Sequence, residues 1–276
     1  MKLYIVGTPI GNLGDMSPRA IKTLETVDFI AAEDTRVTLK LLNHFGIKKP
    51  LVSYYEHNVR QRGQMIIDRI LAGEDCAIVT DAGMPCISDP GEDLVRLCAE
   101  NSIPTEVVPG PSAVIAALAS SGLITSRFAF EGFLSTNKKN RFDHLESIKN
   151  DTHTLIFYEA PHKLIYTLED MLKVLGDRKI SLARELTKVH EEIIRTTLSG
   201  ALEYYSEKSP KGEYVLVIEG AKEDSDEPMT LEDALELVKK LREEDGLALS
   251  AACKEAAKIS GIKKGAIYAA CTETEE

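Results

Sequence analysis

The stretch TDAGMPCISDPG, Thr80 to Gly91, concentrates groups with chemical use: the carboxylates of Asp81 and Asp89, the hydroxyls of Thr80 and Ser88, and a backbone shaped by Gly83, Pro85, Pro90 and Gly91. It follows the apolar run Cys76 to Val79 and precedes an amphipathic one, so a strand opens here into a loop before a helix. In open α/β sheets ligands sit where strands end, and glycine lets the backbone approach a small molecule closely. A cofactor is expected at this loop, and a tight turn without a ligand is the other reading of the segment taken alone.

Two more strand exits are rich in glycine and proline, Gly7 to Asn12 and Pro109 to Ala113, whereas Lys211 to Glu213 precedes its strand. None is a Walker A loop, and Gly7, Gly11 and Gly14 do not have the GxGxxG spacing of a dinucleotide site, so neither a nucleoside triphosphate nor NAD is expected. Polar clusters mark further strand ends: Glu33-Asp34-Thr35-Arg36, Tyr54 to Asn58, Tyr158 to His162, and Arg184-Glu185. Each alone reads as a solvated helix cap. Together, at the carboxyl ends of neighbouring strands, they line a common crevice.

The elements that position these loops follow from hydrophobic periodicity. Strands are expected near Lys2–Gly7, Asp28–Ala32, Leu51–Ser53, Cys76–Thr80 and Thr105–Val108. Helices are expected between them: one opened by Ser17 and Pro18, then Thr35–Phe45, Asn58–Leu71 and Gly91–Glu100. Repeated β-then-α units imply a mostly parallel sheet covered on both faces. A small-residue helix runs from Pro109 to Ser120, and the alternation then repeats: strands at Phe128–Phe133, Thr154–Tyr158, Ile180–Arg184 and Tyr214–Glu219, and helices at Asn140–Ile148, Pro161–Val174 and Leu202–Ser206. The expected organisation is an α/β domain over residues 1–121, a second over 122–220, an acidic linker over 221–229, and a helical appendix over 230–276. Thr230 and Asp233 give that appendix a capping-box start, and two shorter helices flank Ser260-Gly261 in a helix-turn-helix-like pattern.

The chain has 276 residues, 43% hydrophobic and 28% charged, enough apolar material for ordinary globular cores. No apolar run reaches the roughly 18 residues that span a bilayer, and no signal-peptide profile opens the chain, so a cytoplasmic protein without a membrane partner is expected. The five cysteines form no CxxC pair and the six histidines no HExxH, so no metal is expected. The net charge of −11 argues weakly against nucleic acid, but residues 1–218 carry only −4 of it, which leaves room for local basic patches.

Several segments are specific enough to resemble a known family. GTPIGNLGD, AAEDTR with Leu41-Leu42 and Phe45-Gly46, SYYEHN, VTDAGMPCISDPG, VVPGPSA, FYEAPH, ARELTKVHEE and KGEYVLVIEG closely resemble the small-subunit ribosomal RNA methyltransferases of the tetrapyrrole methylase-like superfamily. The likeness runs nearly continuously over residues 2–219, and the tail resembles that family's optional helical domain. It implies two unequal α/β domains with S-adenosylmethionine in the cleft between them, usually as a homodimer. It also implies methylation of the ribose 2′-oxygen of a cytidine in the decoding region of small-subunit (16S) ribosomal RNA, with free RNA or the assembled subunit as partner.

Carried onto this chain, the resemblance implies donor contacts from Pro9, Asp81, Gly83, Met84, Ser88, Ser112, Ala113, Tyr158, Ala183 and Gly212. The superfamily's porphyrin-precursor methylases commonly carry a Gly-Asp-Pro turn, whereas this loop has Ser88-Asp89-Pro90 late, so either Asp81 or Asp89 could face the ligand. A ribose hydroxyl is a weak nucleophile until it sheds its proton, and a nearby carboxylate or imidazole helps by roughly 10² to 10⁴. The candidates are Glu33, Asp34, Glu56 and His57, with Arg36 holding a phosphate or orienting a carboxylate. The plain alternative pairs Glu33 with Arg36 across the helix start. For RNA phosphates the candidates are Arg36, Lys40, His44, Lys48, Lys49, Arg60, Arg62, Lys138, Lys139 and Arg141. Two rivals remain: a methylase of a tetrapyrrole or corrin precursor, against which EDTR and YYEHN argue, and a non-catalytic ribosome-binding factor on the same fold.

Overall fold

A computed structural model of the chain describes residues 1–222, 230–243 and 246–273. Met1–Ala221 form one compact unit and Lys222–Glu276 a second. The first unit is built on two five-stranded sheets. Strands β1 (Leu3–Val6), β2 (Phe29–Ala32), β3 (Leu51–Ser53), β4 (Cys76–Val79) and β5 (Thr105–Val108) form an all-parallel sheet in the order β3-β2-β4-β1-β5. β2 and β4 are buried along their whole length, as strands packed on both faces must be. Helices α1 (Pro18–Thr26) and α2 (Thr35–His44) cover one face through Ala20, Leu24 and Leu42; α3 (Val59–Leu71) and α4 (Glu92–Glu100) cover the other through Ile66, Ile67, Leu94 and Cys98.

The chain leaves β1 toward the α1 face and β4 toward the α4 face, which makes the carboxyl ends of these adjacent strands the switch point of the sheet, where ligands commonly sit. The loops that follow them are Gly7–Asn12, which closes in a short 3₁₀ turn at Leu13–Asp15, and Thr80–Gly91.

The second sheet departs from the sequence expectation. Its strands are β6 (Phe128–Phe133), β7 (Thr154–Glu159), β8 (Lys179–Arg184), β9 (Glu192–Thr197) and β10 (Tyr214–Ile218), in the order β6-β7-β10-β8-β9. Only β6 and β7 run parallel; β10 is antiparallel to both β7 and β8, and β8 to β9. β9 was not expected at all. Its residues Glu192-Ile193-Ile194-Arg195-Thr196-Thr197 are partly exposed and lack a clean alternation, and the helix after it, α8 (Leu198–Ser206), starts four residues earlier than expected. Helices α6 (Lys138–Ser147), α7 (Leu164–Leu175) and α8 pack on one face around Leu145, Leu168, Met171 and Ala201. The other face receives α5 (Ala113–Ser121), whose Val114, Ala117 and Leu118 lie against Ile156, Ala183, Val215 and Val217. α5 begins at the exit of β5, so it ties the end of the first sheet to the second.

In the second unit, α9 (Leu231–Glu243), α10 (Leu249–Ser260) and α11 (Lys264–Glu273) pack around Ala234, Val238, Ala252, Cys253, Ala256 and Ile267. The capping box forms: Thr230 N–H donates to Asp233 Oδ2 at 2.9 Å, and Asp233 N–H to Thr230 Oγ1 at 3.2 Å. Of the acidic linker, residues 223–229 lie outside the described residues.

Candidate active site

The strand exits of the first sheet are stitched together by backbone. Thr8 N–H donates to Gly83 O at 2.9 Å and Gly83 N–H to Thr8 O at 3.1 Å, a two-bond bridge between the β1 and β4 loops. The buried Thr8 hydroxyl adds a bond to Thr80 O at 3.1 Å. The β1 and β5 exits meet directly: a Cβ at Gly7 would lie 2.7 Å from Gly110 Cα, an approach that glycine alone allows.

The Thr80–Gly91 loop crosses to the second sheet in a conformation rare for side-chain-bearing residues. Gly83, Cys86, Ser88 and Gly91 all have positive φ, at +88°, +73°, +59° and +136°. Its tip rests near β6, where a Cβ at Gly132 would sit 3.5 Å from Ser88 Oγ, at the bulge between Phe130 and Gly132. From the second sheet, the β8–β9 loop reaches back: a Cβ on Gly11 would fall within 2.5 Å of Lys188 Cγ.

Between these loops lies a cavity of about 500 Å³, within the range of small-molecule sites. Seven of the ten expected donor contacts line it: Gly83, Met84, Ser88, Ser112, Ala113, Tyr158 and Ala183. Pro9, Asp81 and Gly212 lie outside the lining. Pro9 stands between the bridging Thr8 and the lining Ile10, and Gly212, at φ +78°, leaves room for Glu185, whose Cγ a Cβ there would approach to 2.6 Å. Asp81 turns its carboxylate away, accepting Asp34 N–H at 3.1 Å, whereas Asp89 faces the cavity. Of the two aspartates left open by the sequence, Asp89 is the one beside the ligand space.

Around Tyr158, itself an expected contact, the wall carries groups that the sequence did not single out, among them Phe133, Lys188 and Glu213. Tyr158 stacks edge-on with Phe130 at 5.0 Å and tilts against Phe133 at 5.4 Å; burial, helped by the Asp89 charge, pushes its hydroxyl up to about 12, so it stays a neutral donor. At the rim, Lys188 Nζ bridges Glu185 Oε1 and Glu213 Oε2, both at 2.9 Å. Glu159 is 3% exposed, and its two oxygens accept Ala160 N–H at 2.8 Å and the Thr167 hydroxyl at 2.7 Å. The Lys188–Glu213 and Glu159–Thr167 pairings join residues 25 and 8 positions apart and carry no local sequence signal.

None of the five expected catalytic groups lines the cavity. Glu33 accepts the Thr80 hydroxyl at 2.5 Å and braces the start of the long loop. Asp34 is the N-cap of α2: it accepts Arg36 N–H at 2.8 Å and holds the Arg36 guanidinium at 2.6 Å, which drops its carboxyl to about 2. Arg36 therefore pairs with Asp34 rather than with Glu33. Glu56 and His57 are exposed on the β3–α3 loop, whose shape is set by Asn58: its side chain accepts Tyr55 N–H at 2.9 Å and donates to Ser53 O at 3.1 Å. Among the basic candidates, Arg36, Lys40, His44, Lys48, Arg60, Arg62, Lys138 and Lys139 are exposed and Lys49 half-buried. Arg141 is corrected: it is buried, bonded to Asp170 at 2.7 Å and to Ser135 O at 2.9 Å, and offers nothing to a phosphate.

Whether the cavity suits an adenosyl sulfonium can be tested on its own walls. The backbone of Gly83 forms a cradle that a Cβ would fill against Ile10 Cγ2 at 3.3 Å and Pro111 O at 3.4 Å. Met84, Ala113 and Phe133 supply apolar wall, and Ser88, Ser112 and Tyr158 supply polar groups. The walls fit.

Comparison with known proteins places this architecture. The family model of tetrapyrrole (corrin/porphyrin) methylases matches residues 2–201. The ribosomal RNA small subunit methyltransferase I of Synechocystis sp. is 48% identical over 274 residues, covering 99% of this chain and 98% of that protein. The protein of the same name from Thermotoga maritima is 49% identical over 219 residues, covering 79% of this chain and 98% of its own length. Among solved structures, uroporphyrin-III C-methyltransferase from Thermus thermophilus, complexed with S-adenosylhomocysteine, superposes with a TM-score of 0.56 at 18% identity, over 78% of this chain and 97% of that one. At that identity the likeness speaks for the fold.

Proposed function

Because the chain belongs to the tetrapyrrole (corrin/porphyrin) methylase family, we propose that it transfers the methyl group of S-adenosylmethionine to small-subunit ribosomal RNA, at the ribose 2′-oxygen of a cytidine in the decoding region. The observation that carries this reading is the 48% identity, over nearly the whole of both chains, to a ribosomal RNA small subunit methyltransferase I. When bound, the donor supplies an electrophilic methyl carbon on a sulfonium whose charge disappears on transfer. The chain's own residues have to hold it, align the acceptor and exclude water, work that contributes on the order of 7 to 11 kcal/mol in well-oriented systems.

Gly83, Met84, Ser88, Ser112, Ala113, Tyr158 and Ala183 hold the donor in this reading, with Pro9 and Gly212 shaping the loops beneath them and Asp81 fixing the entry to α2. Glu33 positions the long loop through Thr80. Asp34 holds Arg36 toward solvent, where it meets RNA phosphate with Lys40, His44 and the Lys138-Lys139 pair, while Glu56 and His57 contact the acceptor strand from the β3–α3 loop. The enzyme works in the cytoplasm as a homodimer on the assembled subunit or its RNA.

The test is direct. Small subunits lacking the modification are incubated with the protein and methyl-labelled donor, and the labelled nucleotide is mapped by mass spectrometry. Label on a cytidine ribose in the decoding region supports the reading; no transfer, or label on a base, contradicts it.

A further inference from the structure

Four carboxylates line the cavity among the described residues, and three of them are committed. Glu159 gives its oxygens to Ala160 N–H and the Thr167 hydroxyl, and Glu185 and Glu213 share the single ammonium of Lys188. Asp89 remains. The charges that act on it are the carboxylates of Glu33 after β2 and Asp81 after β4; the Thr80 hydroxyl, whose proton goes to Glu33, and the Cys86 thiol lie near it, and Tyr158 faces it from β7. No ion pair to Asp89 occurs among the described residues.

Its placement is also built. Ser88, immediately before it, has φ +59°, a left-handed conformation that is strained for a residue with a side chain and recurs at functional sites. The loop holding it is pinned at one end by the Thr8–Gly83 bridge and rests at its tip near the β6 bulge. A half-buried carboxylate without a cation, held on a strained loop between two sheets and facing the ligand space, has the surroundings of a proton acceptor.

We propose that Asp89 is the general base of the transfer reaction, accepting the proton of the acceptor hydroxyl. As the oxygen–carbon bond forms and the carbon–sulfur bond breaks, the sulfur keeps the electron pair of the broken bond and the hydroxyl proton passes to Asp89 Oδ. The sulfonium becomes a neutral thioether and Asp89 a neutral acid, which then gives its proton to water. Tyr158 is a neutral neighbour that does not compete for that proton. The assignment rests on the methyl transfer proposed above.

The experiment uses the full-length protein, small subunits lacking the modification, and saturating donor in single turnovers across pH, for wild type, Asp89→Asn and Asp89→Glu. Donor binding by calorimetry and the carboxyl titration by ¹³C NMR are followed alongside. The wild-type rate is expected to rise through about pH 6, where burial and the neighbouring carboxylates set Asp89, and then level off. Asp89→Asn should lose roughly 10² to 10⁴ in rate together with that limb and with the carboxyl resonance titrating there, while binding donor as wild type does; Asp89→Glu should recover part of the rate and the limb. An Asp89→Asn variant that keeps the wild-type rate, keeps the same limb, or loses donor binding overturns the assignment. A wild type that transfers no methyl overturns the reaction itself, a separate failure.

Discussion

Burial, then the charges of Glu33 and Asp81, push Asp89 up from its ordinary value of 3.8 to about 6. The folded chain therefore holds this proton more tightly than the unfolded chain, and the stability that the proton contributes is full below about pH 4 and lost as pH rises through about 6. Asp89→Asn, which cannot ionise, should melt at the same temperature as wild type at pH 4 and at a higher one at pH 8; equal melting at both would show that the site does not penalise the charge. Gly7 makes a different demand. A Cβ there meets Gly110 Cα at 2.7 Å, backbone that cannot swing aside, so Gly7→Ala should cost about 1–3 kcal/mol in urea unfolding and weaken donor binding by displacing the Pro109–Ala113 turn. An unperturbed variant would mean that the two exits do not touch. The loops that hold these residues were legible from glycine, proline and strand ends alone. Their side-chain directions were not: Asp81 and Asp89 look equivalent in the sequence, and a run of positive-φ residues between them turns one away and the other in. Arg141 likewise reads as a surface cation until Asp170, on another helix, claims it.

Elements whose own residues carry a period were readable; pairings between distant segments were not. The five parallel strands announce themselves as short apolar runs followed by helical stripes, and the structure keeps all of them. The antiparallel order of the second sheet is set by which strand β10 inserts between, information that no window of the sequence holds. β9 escaped for a related reason: it is an edge strand with half-exposed faces, and its key contact is remote. That contact joins Arg195 to the end of α5, donating from Nη2 to Ser120 O at 2.5 Å and from Nε to Ser121 O at 3.1 Å. A cation at the carboxyl end of a helix satisfies carbonyls that have no partner in the helix. Arg195→Met, which keeps the stem and drops the donors, should destabilise the protein by about 1 kcal/mol in denaturant melts. No change would show that β9 does not secure α5.

At the scale of the molecule, the first unit contains both sheets and the whole cavity, and the helical tail packs on its own core. The match to the Thermotoga maritima relative uses 219 residues of this chain and 98% of that protein, which leaves it no room for a tail of this size. A chain ending at Ala221 should therefore unfold in one cooperative transition and bind donor with the affinity of the full-length protein in calorimetry; a truncated chain that aggregates or binds nothing would make the tail part of the fold. In the proposed reaction the space framed by the exits of both sheets receives the methyl donor. Ultraviolet crosslinking of the full-length protein to radiolabelled S-adenosylmethionine, followed by peptide sequencing, tests it without reference to RNA. The expected result is label that S-adenosylhomocysteine competes away and that falls in Thr80–Gly91, Pro109–Ala113 or the segment around Tyr158. Saturable, competed label found only in peptides outside the cavity wall, such as those of α9 to α11, would contradict it.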